Sequence, residues 1–258
     1  MRHLTILLAA GLLADCGAAT CSARPLGRRV SALEPAAWAA SAWISAADAP
    51  VEEGKITEGS LAAPGTSWFV RELANEGEVV SATWMTAGLG VYELYVNGVR
   101  IGTDFLKPGF THNEKTKYAF TYDVTEAFRR AKGATNVLAA EVSSGWWRDK
   151  IVTPSGRTGF VGRKSAFRGV LEVAYAGGAV RRYGTNVKDW KAGVAGPVTR
   201  AAIFDGEHFD ARQKPGFACG ASFGAPQANA EFKGEILPTD GAEVLLRCDK
   251  ALSPVKAY

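Results

Sequence analysis

"VYELYVNGVRIGT", from Val91 to Thr103, decides the fold. It sets Asn97-Gly98 between two runs rich in β-forming residues, and that pair is the strongest short-range signal for a two-residue β-hairpin. The same device recurs in "FRGVLEVAYAGGAVRRYGT", with Gly177-Gly178 as its turn. Around these hairpins lie other runs of strand length: "TSWFVREL", "EVVSATWMTA" (Glu78 to Ala87, alternating imperfectly) and "NVLAAEVSS". "AWISA" (Ala42 to Ala46) reads as a first strand. One helix is convincing, in "YDVTEAFRRAKG", where Asp123 or Thr125 caps the start and Gly133 stops it after two turns. Many short strands with a single small helix predict an all-β chain. The expected architecture is a jelly-roll β-sandwich over residues 66–192. Part of a second β-sandwich sheet is expected from the lead-in at 24–65 and from an incomplete β domain at 193–258.

Composition narrows the function classes. A 258-residue chain with 47% hydrophobic and 22% charged residues is long enough to bury a real core and has no disordered or fibrous bias. The net charge is +4, but the basic residues fall in isolated pairs such as "FRRAKG" and "VRRYG". Nucleic-acid binding needs clustered basic charge and a matching motif, so it is excluded as a function. At the N-terminus, Arg2 and His3 precede the apolar "LTILLAAGLL" and then the small residues of "ADCGAATCSA". That apolar run is too short to span a bilayer, and the pattern is that of a secretory signal at residues 1–23. Export to the periplasm or outside is expected, with no membrane span in the mature chain. "LADC" leaves lipid attachment at Cys16 open, although Asp15 stands where a small residue is wanted. Cleavage would remove Cys16 and Cys21 and leave Cys219 and Cys248, either a disulfide or two small buried residues.

Catalytic signals are weak. "GASFG" (Gly220 to Gly224) satisfies the nucleophile-elbow pattern around Ser222, but Pro226 follows closely and the last histidine, His208, comes before it. "GLGVYE" (Gly88 to Glu93) lacks the third glycine of a dinucleotide fingerprint. No two carboxylates stand out as a glycosidic pair, so no catalytic residue is expected. "EVSSGWWRDK" (Glu141 to Lys150) is different. Tryptophan offers the largest apolar face for the C–H side of a sugar ring, and Arg and Asp supply fixed forks for its hydroxyls. Trp146, Trp147, Arg148 and Asp149 are therefore the candidate sugar-binding residues. Read as a strand, the two rings point to opposite faces, one into the core and one to a rim beside Arg148 and Asp149. Packing alone accounts for the pair equally well. "FDGEHFDAR" (Phe204 to Arg212) reads either as a functional turn or as a surface turn held by ion pairs.

The segments "LGVYELYVNGVRIGTDFLKPGFTHNEKTKYAFTYDVTEAF", "GWWRD", "KSAFRGVLEVAYAGG" and "FDGEHFDAR" follow one another in an order that resembles bacterial α-L-rhamnosidases of glycoside hydrolase family 78. The likeness is to their N-terminal β-sandwich region and covers about Trp43 to the C-terminus. It implies a jelly-roll module that helps recognise a rhamnose-containing oligosaccharide or glycoside. It also implies further β domains and a large helical barrel, whose acidic residues hydrolyse terminal α-L-rhamnosides with inversion. The barrel is absent from this sequence, so the chain is expected to be non-catalytic by itself and to partner a catalytic domain of the same polypeptide. A free-standing carbohydrate-binding module and a structural spacer are the alternatives. Some family members hold calcium and rhamnose through an Asp and an amide residue just before the aromatic pair. Here Ser143, Ser144 and Gly145 stand in those places, and they are poor calcium ligands, so no metal and no cofactor is expected.

Overall fold

The computed structural model describes residues 26–47, 54–55, 65–131, 135–149, 157–158, 161–204, 206–239, 241–247 and 250. The leader with Cys16 and Cys21, the helix stop at Gly133, and Cys248 lie outside them, so the Cys219–Cys248 pairing does as well. The frame is an all-β sandwich. Its strands are β1 (Ser67–Ala74), β2 (Val79–Leu89), β3 (Tyr92–Val96), β4 (Val99–Ile101), β5 (Thr116–Asp123), β6 (Thr135–Val142), β7 (Ala166–Tyr175), β8 (Val180–Gly184) and β9 (Lys191–Val194). The smaller sheet runs β9-β1-β6-β3-β4, antiparallel throughout. The larger sheet is centred on β5-β2-β7 and has composite edges. β7 pairs with β8 along Val170–Ala174 and with the short strand Ile44–Ser45 at Phe167. β5 pairs with Arg28–Arg29 at one end and, in parallel, with Glu235–Pro238 at the other.

The decisive hairpin forms in the register its turn dictates. Asn97 and Gly98 take φ of 53° and 77°, so Val96 pairs with Val99 and Leu94 with Ile101. The Asn97 side chain then ties the turn to its neighbours. Its Oδ1 accepts the Val137 N–H at 2.9 Å, and its amide donates to Ala127 O at 3.0 Å and to Asn136 Oδ1 at 2.7 Å. Tyr92, Leu94 and Val96 consequently enter the core between the sheets, where they meet Phe69, Trp84, Phe167 and Trp190. Burying aromatic area of this size is the main force holding the two sheets together.

The imperfect alternation of β2 has a physical cause. Ala82 and Trp84 face the core between the sheets, while Met85, Ala87 and Leu89 face the other way and are just as buried. The lead-in and the tail cover that outer face. A 3-10 turn at Pro35–Ala40 lays Ala37 and Trp38 over Met85 and Val170, and Trp43 and Phe232 cover Ala87 and Leu89. "AWISA" was expected in a second sheet, but Ile44–Ser45 joins the larger one and Gln227–Ala228 adds outside it. The reason is hydrogen bonding: β8 begins to pair only at Val170, so the Phe167 end of β7 offers an open edge that a short strand satisfies. Beyond the sandwich, β10 (Val198–Ala202) and β11 (Gly206–Phe209) form a two-stranded hairpin of their own.

The expected helix is α1 (Thr125–Arg129), which buries Ala127 and Phe128. The N-cap is Val124, with no side-chain cap bond, rather than Asp123 or Thr125. Asp123 Oδ1 does accept the Thr125 N–H at 3.0 Å, and Thr125 Oγ1 ties the start of the helix to β2 by accepting the Ala82 N–H at 2.9 Å. A second single-turn helix, α2 (Gly145–Arg148), was not expected, and it carries the tryptophan pair. Among the described residues no helix is long and apolar enough to cross a membrane.

Candidate functional site

α2 begins where β6 leaves the smaller sheet, and two glycines make the turn possible. Ser143 donates its N–H to Val91 O at 2.8 Å, drawing the chain against the β2–β3 connection. A Cβ on Gly145 (φ +51°) would stand 2.6 Å from Val91 N, and one on Gly90 (φ +127°) 2.0 Å from Ser143 O. Any larger residue at either position would push the segments apart. The turn then closes with the N–H groups of Trp147 and Arg148 both bonded to Ser144 O at 3.3 Å.

Trp146 and Trp147 are therefore not neighbours on a strand, which corrects the reading of opposed faces. In a helical turn successive side chains are about 100° apart. Trp147 is buried with Trp43, Ala87, Leu89, Ala166 and Phe232 on the outer face of the larger sheet. It meets Phe232 edge-on at 6.2 Å and donates its Nε1–H to Lys164 O at 3.0 Å. Trp146 is half-buried and meets Phe110 edge to face, with ring centroids 6.1 Å apart. Arg148 and Asp149 are 1% and 4% exposed, so they do not stand open as a fork beside a ring. Arg148 Nε instead donates to Ser144 Oγ at 3.1 Å within the turn.

The wall facing α2 comes from the segment after β4. Its base is a charge network in which Lys107 and Asp104 are buried and Glu93 and Arg100 partly so. The Lys107 ammonium lies 3.3 Å from Glu93 Oε2 and donates to Asp104 O at 3.0 Å, and Arg100 bonds Glu93 at 2.7 Å and Asp104 O at 2.8 Å. The Asp104 carboxylate accepts the Tyr122 hydroxyl at 2.8 Å. With its base held this way, the loop presents Phe110 at its tip, 66% exposed. Beside it opens a cleft of about 620 Å³ lined by Phe110, Thr111, His112, Asn113, Glu114, Tyr118 and Val161. Asn113 links the two walls: its amide donates to Trp146 O at 3.4 Å, and its Oδ1 accepts from the Lys117 ammonium. Lys117 is buried, its ammonium 4.9 Å from the Trp147 ring, and burial pushes its pKa down to about 8.

A family model described as "Alpha-L-rhamnosidase N-terminal domain" matches residues 77–227, a span that holds the cleft and α2. The chain belongs to that family. Among curated relatives, the α-L-rhamnosidase of Streptomyces avermitilis is 38% identical over 151 residues, which are 54% of this chain and 14% of that protein. The α-L-rhamnosidase of Alteromonas sp. is 32% identical over 152 residues, 58% of this chain and 16% of its own. The chain thus spans only a small part of the length of these relatives. Among solved structures, the Streptomyces avermitilis α-L-rhamnosidase complexed with L-rhamnose superposes with a TM-score of 0.60 at 30% identity, covering 69% of this chain and 17% of that one. The Aspergillus terreus α-L-rhamnosidase gives a TM-score of 0.69 at 23% identity over 82% of this chain and 24% of that one, a likeness of fold.

Within this rhamnosidase N-terminal domain, sequence reasoning missed Phe110, Asn113 and Lys117. "PGFT" carried family likeness but no sign that it would meet the tryptophan pair, which lies 33 residues beyond Asn113. The "FDGEHFDAR" segment supplies β11 of the β10–β11 hairpin, and none of its described residues lines the cleft. Arg212 pairs with Asp210 at 2.8 Å there, and that partner holds the Asp210 carboxyl well below the usual carboxylate range. Ser222 sits in a 3-10 turn at Gly220–Ser222, not at a strand-to-helix elbow, and donates its hydroxyl to Cys219 O. The calcium that the resemblance implies for some members does not fit these residues. Ser143 Oγ donates to Val91 O, Ser144 Oγ is engaged by Arg148, and Asn113 Oδ1 is engaged by Lys117. Among the described residues no three His, Cys, Asp or Glu converge to hold an ion.

Proposed function

We propose that this chain is the substrate-recognising, non-catalytic N-terminal part of an exported α-L-rhamnosidase, and that its cleft receives a rhamnose-containing glycoside. The observation that carries the reading is the edge-to-face contact of Phe110 and Trp146 beside a cleft that also carries polar side chains. A sugar ring needs both an aromatic surface for its C–H face and donors and acceptors for its hydroxyls. Phe110 and Trp146 supply the first, and Thr111, His112, Asn113 and Glu114 supply the second. The α-L-rhamnosidase relatives, one of them solved with L-rhamnose, support the choice of sugar. The leader supports export to the periplasm or beyond, with or without a lipid on Cys16. In this reading hydrolysis belongs to a catalytic domain of the same polypeptide. Inverting hydrolysis needs an acid and a base carboxyl facing each other across the bond, and among the described residues lining the cleft Glu114 is the one carboxylate.

Calorimetric titration of residues 24–258 with L-rhamnose tests the proposal. Saturable uptake is expected, weakened by about 1–3 kcal/mol in Trp146→Ala, by analogy with flat ligands stacking on aromatic rings. A spacer domain would show no saturable uptake, and that result overturns the reading. The same protein should leave an aryl α-L-rhamnoside uncleaved above buffer background. Turnover that disappears on changing one Asp or Glu of this chain would refute the non-catalytic assignment.

A further inference from the structure

Among the described residues two lysines are buried, and the fold treats them differently. Lys107 has two carboxylates within 4.0 Å, those of Glu93 and Asp104, as expected for an ammonium that braces a loop. Lys117, on β5 and 1% exposed, has none within that distance among the described residues. It has a neutral amide, Asn113 Oδ1, and the face of Trp147 at 4.9 Å. A buried cation without a counter-ion is costly, and burial alone accounts for its lowered pKa of about 8. The arrangement has a specific consequence for Asn113. An ammonium can only donate, so the amide must turn its oxygen to Lys117 and its NH2 to the Trp146 carbonyl. The charge thus sets the orientation of a residue that lines the cleft and binds it to the turn that carries Trp146.

The same contacts bear on the metal. A hard cation such as calcium takes six to eight oxygen ligands. At this turn Ser144 Oγ and Asn113 Oδ1 already accept from the cations of Arg148 and Lys117, and Ser143 Oγ is turned to the Val91 carbonyl, to which it donates. We propose that Lys117 is the positioning residue of the cleft, a built-in cation that orients Asn113 and the Trp146 turn so that ligand uptake needs no divalent metal. The inference rests on reading the cleft as a sugar site.

Its test uses the whole mature chain. Terbium(III), a luminescent probe for calcium sites that nearby tryptophan sensitises, should give no saturable emission. Saturable emission lost in Trp146→Phe overturns the metal-free cleft. L-Rhamnose should bind with the same Kd in EDTA and in calcium chloride. Lys117→Met should weaken binding roughly tenfold or more, the scale of one lost charge-assisted hydrogen bond, and Lys117→Arg should restore most of it. Lys117→Met should melt no lower than wild type, because it removes a buried charge, whereas loss of a mere structural brace would lower melting. Wild-type affinity in Lys117→Met, or collapse of binding in EDTA, overturns the proposal. Should wild type not bind L-rhamnose, the sugar reading fails by itself. Lys117 is then judged by the indole N–H resonances of Trp146 and Trp147, which Lys117→Met must move and Lys117→Arg must return; unmoved resonances refute the positioning role.

Discussion

At Gly162 a Cβ would stand 2.1 Å from the Trp147 ring, so the ring lies against bare backbone. That contact, the bond from Nε1 to Lys164 O and the edge of Phe232 enclose Trp147 on several sides. Its neighbour has far fewer restraints: Trp146 meets Phe110, itself 66% exposed. The two tryptophans should therefore separate cleanly on mutation. Trp147→Ala is expected to cost about 3–5 kcal/mol of stability as a large core truncation. Trp146→Ala should cost under about 1 kcal/mol, within the range of surface changes. Urea denaturation of both variants measures the contrast, and equal losses would show that both rings are packing elements.

β6 carries a second unusual side chain, on the outward face of the smaller sheet. Glu141 pairs across to Trp68 of β1 on one side and Glu93 of β3 on the other. Its Oε1 accepts the Thr66 hydroxyl at 2.7 Å and its Oε2 the Tyr95 hydroxyl at 3.5 Å. Burial above all, and then the carboxylates of Glu93 and of Glu207 on β11, push its pKa from 4.5 up to about 7. The sign follows from linkage. Above 4.5 the unfolded chain gains by ionising this group while the folded sheet keeps its proton. Stability from this residue is complete below about pH 4.5, falls as pH rises to about 7, and is level beyond, a swing on the order of 3 kcal/mol. Unfolding free energies of wild type and Glu141→Gln, compared at about pH 5 and about pH 8, should show a smaller loss in the variant. Parallel losses would place the pH dependence elsewhere.

Across the whole molecule, the lead-in and tail act as an extra layer on the larger sheet. Phe232 from the tail meets Trp43 from the lead-in at 5.8 Å and Trp147 from α2 at 6.2 Å, joining three distant parts of the chain. Asn229 strengthens the join, donating its N–H to Trp43 O and its amide to Ser45 Oγ, both at 2.9 Å. Phe232→Ala should cost about 3–4 kcal/mol, since the ring is buried among large rigid neighbours that cannot collapse into its place. Melting should fall by several degrees, and tryptophan emission should shift red as Trp43 and Trp147 gain water. Unchanged melting would mean that the tail rests on the sandwich without supporting it.

The sequence by itself determined the β character of this protein, its hairpins at Asn97-Gly98 and Gly177-Gly178, and the place of α1, because turn chemistry and local helix preference act between near neighbours. Ordered motifs also made the rhamnosidase N-terminal family legible before any coordinates. The cover on the outer face of β2 could be seen only as broken alternation, with nothing local to say that Trp43 and Phe232 supply it. α2 was misread as strand because Gly145 gains its meaning from Val91 N beside it, a contact that no periodicity encodes. Only the tertiary structure decided that Trp147 is core, that Arg148 and Asp149 are buried, and that Trp146 packs on Phe110 and bonds Asn113, two residues that line the cleft. Local pattern says which way a side chain leaves its own strand; what waits there is set by segments far away in the chain.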